Sequence, residues 1–309
     1  MKRIMLGVAL LLAACNADDF SQVEPNEALS AKQFRGIMAD ADAGRTYIDE
    51  DVHLRWIQGD KVSIFTETSR NKWSEFLGET GRTAGDFSEP KASGFGTGTD
   101  INTNYSIYPY NSGNALDAYT GVMTLVLPAT QSYAVNSFGV GANAMTAVTR
   151  DAEDYDLRYR NVGGYIRFRL YGADITVRSL VLTATGGQPL SGKVHVTHQY
   201  GGNPSIEFVA SQSSNSVTID CPEGVTLGTT AETATDFWFV VPPVTMAQGF
   251  SLVVNGFYGG SWTKTTSAVI AIERNKYRNV NPLQVTIASS DTGMGVGGWG
   301  DGENVEEQI

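Results

Sequence analysis

The feature that most constrains this chain is a series of short apolar runs, each of strand length and none of helical length. They cover residues 61–65, 105–110, 121–127, 165–171, 175–184, 193–196, 206–209, 216–219, 237–241, 250–254 and 268–272, with Gly, Asn, Asp, Ser and Pro between them. Runs of about 4–8 apolar residues bounded by turn formers read as strands. In 165–171, Ile166, Phe168 and Leu170 alternate with Tyr165, Arg167 and Arg169. Such alternation gives a strand one apolar face and one cationic face, the pattern of a half-buried antiparallel sheet. No stretch has the period of a long amphipathic helix, and one short helix is expected near 71–77. The expected fold is therefore all-β, built of antiparallel β-sandwiches. The charged stretch 149–157 is poor in core residues and marks a boundary. It divides an N-terminal sandwich domain, 31–152, from a C-terminal one, 153–288. Residues 16–30 read as a flexible tether, and 289–309 as a Gly-rich acidic tail.

The first fifteen residues, MKRIMLGVALLLAAC, form a leader with a basic start at Lys2 and Arg3 and an apolar run over 4–12. That run is too short to span a bilayer and reads as a signal peptide. Leu12-Ala13-Ala14-Cys15 matches the lipobox of bacterial lipoproteins, which makes Cys15 the expected lipidated residue. Acyl chains hold a protein at a membrane without a transmembrane span. Asn16-Ala17-Asp18-Asp19 resembles the surface-export signal of Bacteroidota lipoproteins. The expected location is the outer membrane, with the body of the protein at the cell surface.

Charge and composition narrow the function. There are 33 acidic residues against 22 basic ones, and the leader holds two of the latter. Phosphate recognition needs clustered Lys and Arg, so nucleic acid is excluded as a partner. The two cysteines, Cys15 and Cys221, have no metal-ligand spacing, and Cys221 reads as a buried, unpaired thiol. His195 and His198 lie three apart in a strand, on opposite faces, and are not expected to share a metal. The carboxylates of Asp40-Ala41-Asp42 and Asp49-Glu50-Asp51 lack the register of a calcium loop and read as solvated acidic loops. No nucleophile elbow or zinc-protease motif is present. The chain is read as a non-enzyme with no cofactor and no metal. Tyr108 and Tyr110, in Tyr108-Pro109-Tyr110, are candidates for stacking on a sugar, with core packing as the alternative.

Several segments, in order, resemble the fimbrillin-like surface lipoproteins of Bacteroidota, the subunits of type V pili. Trp56-Ile57-Gln58-Gly59-Asp60-Lys61-Val62-Ser63-Ile64-Phe65 is similar to that family's W-x-x-G-D strand entry. Tyr108-Pro109-Tyr110 followed by Leu127-Pro128-Ala129-Thr130-Gln131 resembles its YPY and LPATQ order. Phe138-Gly139 with Ala142-Asn143-Ala144-Met145 resembles a third segment, with Ala144 at a position where the family carries Pro. Arg160-Asn161-Val162-Gly163-Gly164-Tyr165 and Phe237-Trp238-Phe239-Val240-Val241-Pro242-Pro243 are similar to two later core strands. The resemblance implies two transthyretin-like β-sandwich domains in tandem. It also implies a structural subunit of a fimbria, exported as a lipoprotein and assembled by proteolytic leader removal and donor-strand exchange. The implied partners are other fimbrial subunits, an arginine-specific protease, and the outer membrane through the lipid on Cys15. Stalk, anchor and tip roles all fit.

Within that resemblance, the removable segment includes 34–38. Arg45 is the first candidate for the cut, then Arg35 and Arg55. Met294, Val296 and Trp299 are candidates for a donor strand in the tail, with a solvated acidic tail as the alternative. The other reading of the whole chain is a monomeric surface lipoprotein that binds glycans or acts as an adhesin, through Tyr108 and Tyr110.

Overall fold

The computed structural model describes residues 33–40, 55–92 and 97–287. Among these, the fold is all-β, and most strand pairs are antiparallel. The largest sheet has eight strands in the order β4 (Ala84–Asp86), β1 (Arg35–Met38), β12 (Asp156–Asn161), β11 (Met145–Val148), β6 (Tyr105–Tyr108), β2 (Lys61–Phe65), β3 (Lys72–Glu75) and β5 (Lys91–Ala92). A six-stranded sheet runs β10 (Ser137–Phe138), β9 (Thr130–Ala134), β17 (Ser216–Thr226), β14 (Thr176–Ala184), β20 (Phe250–Gly256) and β21 (Ser261–Thr266). It packs against β18 (Thr235–Val241), β13 (Gly164–Tyr171) and β23 (Tyr277–Asn279), with β24 (Leu283–Gln284) also paired to β13. A further sheet holds β16 (Ser205–Ser214), β15 (Ser191–Thr197), β8 (Met123–Leu127) and β7 (Ala115–Leu116), and β19 (Val244–Met246) pairs with β22 (Ile270–Ile272).

The apolar runs of the sequence each carry a strand, and most of them supply at least one buried face. In β13, Ile166, Phe168 and Leu170 are fully buried. On its other face, Arg167 and Arg169 both pair with Asp236 of β18. The segment 71–77 is not a helix: β3 pairs with β2 from Lys61↔Glu75 to Ile64↔Lys72. Pairing to β2 on one side and β5 on the other satisfies the backbone there, and Trp73 lies between the Lys61 and Lys91 ammonium groups, each 4.9 Å from its ring. This context overrides local helix propensity.

Main-chain pairing crosses residue 152. β8 pairs with β15 from Met123↔Val196 to Leu127↔Gly192, and β9 pairs in parallel with β17. The side chain of Gln131 forms another link. Its amide nitrogen donates to Val240 O at 2.7 Å, and Val240 N donates to its amide oxygen at 3.0 Å. Gln131 thus takes the part of a strand residue against β18, which is why a buried amide is tolerated there. Gln131→Ala strands a buried N–H and a buried C=O and is expected to cost about 2 kcal/mol in urea unfolding. A cost within error of zero would show that water replaces both bonds.

The three cores follow the sheets. One fills the space between β13/β18 and the β14 sheet. One lies under β2, β6 and β8. The third gathers around Trp56 and is the one that concerns function. Cys221 is a buried free thiol, and burial pushes its pKa up to about 12.

Candidate functional site

The Trp56 core has an unusual source for part of its wall: the first described strand of the chain. Residues 33–40 alternate in exposure, with Phe34, Gly36, Met38 and Asp40 buried and Gln33 and Arg35 exposed. The sequence imposes this, because Phe34, Gly36 and Met38 share one face at the strand period. β1 pairs in parallel with β12, from Arg35↔Asp156 to Met38↔Tyr159, and antiparallel with β4, from Arg35↔Asp86 to Ile37↔Ala84. Its N–H groups reach both neighbours: Arg35 N donates to Tyr155 O, Met38 N to Thr83 O and Ala39 N to Tyr159 O, each at 2.9 Å. The chain's first described strand therefore lies inside a sheet and not at its edge.

The slot it fills is aromatic. Trp56 is fully buried, with Phe76, Phe87, Tyr108 and Tyr159 rings at 5.4, 5.3, 5.7 and 5.1 Å. Phe34 packs on Tyr155 at 4.9 Å. Gly36 sits where no side chain fits. A Cβ there would stand 2.5 Å from Phe87 and 3.1 Å from Trp56. Burying Phe34 and Met38 stabilises the strand by roughly 1.5–3 kcal/mol each.

Asp40 closes the strand. Its carboxylate accepts from Arg160 Nη1 at 3.2 Å, from Arg274 Nη1 at 2.5 Å and from Asn161 N at 2.9 Å. Asn203 Oδ1 bridges the two guanidinium groups, at 3.1 Å from Arg160 and 3.0 Å from Arg274. Asp40, expected in a solvated acidic loop, is instead a buried ion-pair centre. Its partners lie 120 and 234 residues away in sequence, so local acidity misled the reading.

The turn before β2 explains the W-x-x-G-D motif. Trp56 enters the core, Gly59 takes a φ of +89°, and Asp60 Oδ2 accepts from Ile57 N at 2.8 Å. Tyr108 donates its hydroxyl to Asp60 Oδ1 at 3.1 Å and is 1% exposed. Of the two readings of Tyr108, the structure takes core packing and rules out the candidate sugar contact: its ring is core, and no face of it reaches solvent. Tyr110 is half-buried. Arg35 is exposed but lies within β1, hydrogen-bonded on both sides. Arg55 is half-buried and directly precedes Trp56. Arg45, Cys15, Met294, Val296 and Trp299 lie outside the described residues.

Two buried titratable groups flank this region with opposite pH signatures. Burial raises the Asp60 carboxyl from 3.8 to about 6, outweighing the bonds from Ile57 and Tyr108. Burial lowers His198 from 6.5 to about 4. Its Nε2 lies 3.1 Å from the Gly202 carbonyl and so carries the proton, leaving Nδ1 to accept from the Thr146 hydroxyl at 2.9 Å. Neutral imidazole fits this arrangement. A raised Asp makes the native state the better proton binder, so its contribution to stability grows as pH falls from about 6 to 4. A lowered His makes the unfolded state the better binder, so stability is lost as pH falls from about 6.5 to 4. Each swing is about 3 kcal/mol, and the two oppose each other. Acidification from pH 7 to 4 is therefore expected to stabilise the parent protein relative to Asp60→Asn and to destabilise it relative to His198→Gln. Urea unfolding across that range measures both differences, and two differences of the same sign would contradict the assignment.

No family model and no curated protein sequence matches this chain. Several solved structures are similar to it. A candidate cell adhesion protein from Bacteroides ovatus is 14% identical, with a TM-score of 0.46 over 80% of this chain and 90% of that one. A fimbrial protein from Bacteroides ovatus is 14% identical, with a TM-score of 0.32 over 81% of this chain and 48% of that one. The tip fimbrial protein Mfa3 from Porphyromonas gingivalis is 8% identical, with a TM-score of 0.30 over 75% of this chain and 81% of that one.

Proposed function

We propose that the protein is a structural subunit of a cell-surface fimbria of the type V pilus kind. It is exported as a lipoprotein on Cys15 and assembled by proteolytic removal of its N-terminal segment and strand exchange. The observation that carries this reading is the position of β1. It is the first described strand of the chain, yet it fills the inside of a sheet between β4 and β12. Withdrawing it exposes the main chain of β12 and a slot shaped for Phe34 and Met38. A row of unpaired backbone groups beside an apolar slot is what an incoming strand satisfies.

A cut after Arg45 separates residues 34–40 from the rest of the chain. A cut after Arg35 leaves Gly36, Met38 and Asp40 in place, and its peptide bond lies within a paired strand. Arg45 is therefore the proposed processing site.

Intact mass of protein sheared from cells, beside protein extracted from their membranes, tests the reading. The sheared form is expected to start at Thr46 and the membrane form at lipidated Cys15, and Arg45→Ala should abolish the sheared form. Sheared polymers that keep residues 34–40 covalently, or one lipidated species in both fractions, would overturn it.

A further inference from the structure

Far from the β1 slot, two strands break the alternation that builds the rest of the fold. β21 and β23 are the edge strands of the two sheets that enclose the core between β13/β18 and β14. We propose that the opening between these edges is a binding site for a carboxylated sugar, a hexuronic acid unit, with Arg278 and Lys264 taking its carboxylate. The site is separate from the β1 slot and does not depend on strand exchange there.

The strand period assigns the faces. In β21, Lys264 pairs with Leu252 and Thr266 with Phe250. Leu252 and Phe250 are buried in the core, so Lys264 and Thr266 lie on the core side, as Trp262 does two residues earlier. In β23, Arg278 pairs in parallel with Ile166, which is fully buried. Arg278 therefore shares the core side with Val280, while Tyr277 lies on the opposite face, 5.7 Å from the Trp238 ring. Each strand thus sets a cation where the alternation calls for an apolar side chain. The two cations line one cavity of about 330 Å³, to which Phe250, Ile270 and Leu283 give an apolar floor.

No acid answers these cations. Arg160, Arg167, Arg169 and Arg274 each meet an Asp, whereas Lys264 and Arg278 have no ion-pair partner among the described residues, and no carboxylate lines their cavity. The guanidinium fork matches both oxygens of a carboxylate, and the ammonium adds a further donor on a mobile stem. Thr266 and Asn281, also on the cavity wall, supply neutral donors and acceptors for hydroxyl groups. The apolar floor suits the C–H face of a pyranose ring. The volume stands at the low end of the roughly 300–1,000 Å³ of small-molecule sites, which fits one ring and not a longer saccharide. A bare inorganic anion would leave the floor unused, and an apolar ligand would leave both charges unpaired. Inward charges on edge strands also discourage edge-to-edge pairing. A guard of that kind needs no affinity for a sugar, so the two roles are separable.

The test is saturation-transfer NMR of the mature chain with glucuronic and galacturonic acid, against glucose and galactose as uncharged controls. At least one of the two acids is expected to bind roughly tenfold more tightly than its uncharged counterpart. Its binding should weaken as salt is raised. Lys264→Gln and Arg278→Gln should each weaken it roughly tenfold, and Arg278→Lys should restore part of the loss. Both side chains are exposed, so these variants leave the core in place. Arg178→Gln, which removes an exposed charge on β14 that does not line the cavity, should bind as the parent does. Equal binding of the acidic and neutral sugars, or binding that survives both substitutions, would overturn the proposal. Acetate or inorganic phosphate that competes as well as the uronic acid would overturn it too, leaving a simple anion site. So would failure of either acid to bind, and self-association of the Lys264→Gln/Arg278→Gln variant would then assign the cations to guarding the sheet edges.

Discussion

Asp40→Ala is expected to be among the most damaging single substitutions in this protein, lowering stability by about 3 kcal/mol. The carboxylate is almost fully buried and serves two guanidinium groups and one backbone amide. Removing one partner of a buried ion cluster leaves the others uncompensated, typically at about 3–5 kcal/mol. The low end applies because Arg160 and Arg274 retain 26% and 20% side-chain exposure and water reaches them in part. Arg274→Ala should cost less, since Asp40 keeps Arg160 and the Asn161 amide. The loss should also be local. Hydrogen exchange at Met38 and Ala39 amides should quicken in Asp40→Ala far more than exchange in β14, because β1 depends on this end contact. Uniform quickening across both would mean that β1 and the body unfold together, and would argue against a separable strand.

Gly36→Val is expected to loosen β1 in its slot without any cleavage. A Cβ at this position would stand 2.5 Å from a Phe87 ring carbon and 3.1 Å from Trp56, and both rings are fully buried. Neither ring has room to retreat, since Trp56 is enclosed by Phe76, Phe87, Tyr108 and Tyr159. Overpacking in a close-packed core costs roughly 1–3 kcal/mol, and the branched Val belongs at the upper end. The strain narrows the free-energy gap to the state with β1 withdrawn, so that state is visited more often. Gly36→Val should therefore make the Arg35–Gly36 bond a fast site for an arginine-specific protease, whereas the parent should resist there. Equal resistance in the two proteins would show that the slot relaxes around the added side chain.

Much of this architecture was legible in the sequence for a physical reason. Strands that bury one face must alternate, so 165–171 announced itself by side-chain period, whereas 237–241, buried on both faces, was read as a continuous apolar run. The W-x-x-G-D motif was also readable, because a turn of positive φ at Gly59 and a capping Asp60 are local devices. Asp40 was misread because its partners are supplied by tertiary structure: Arg160 on β12 and Arg274 just after β22. For Tyr108 the sequence left both core packing and a sugar contact open, because an aromatic beside Pro109 looks the same whether it caps a loop or enters a core. Its hydroxyl partner, Asp60, lies 48 residues away. The short strand β3 was missed because Lys72–Glu75 has no apolar alternation of its own and is held by its pairing with β2.

The central claim is that residues 34–40 are a replaceable part of this fold. The most direct measurement is the size distribution of purified mature chain, resolved in SDS without heating, before and after cleavage by an arginine-specific protease. The account predicts a monomer before cleavage and, after it, a ladder of multiples from which the fragment containing residues 34–40 has been lost. Cleaved protein that stays monomeric with that fragment still bound, even when excess uncut or cleaved chains are present, would contradict it.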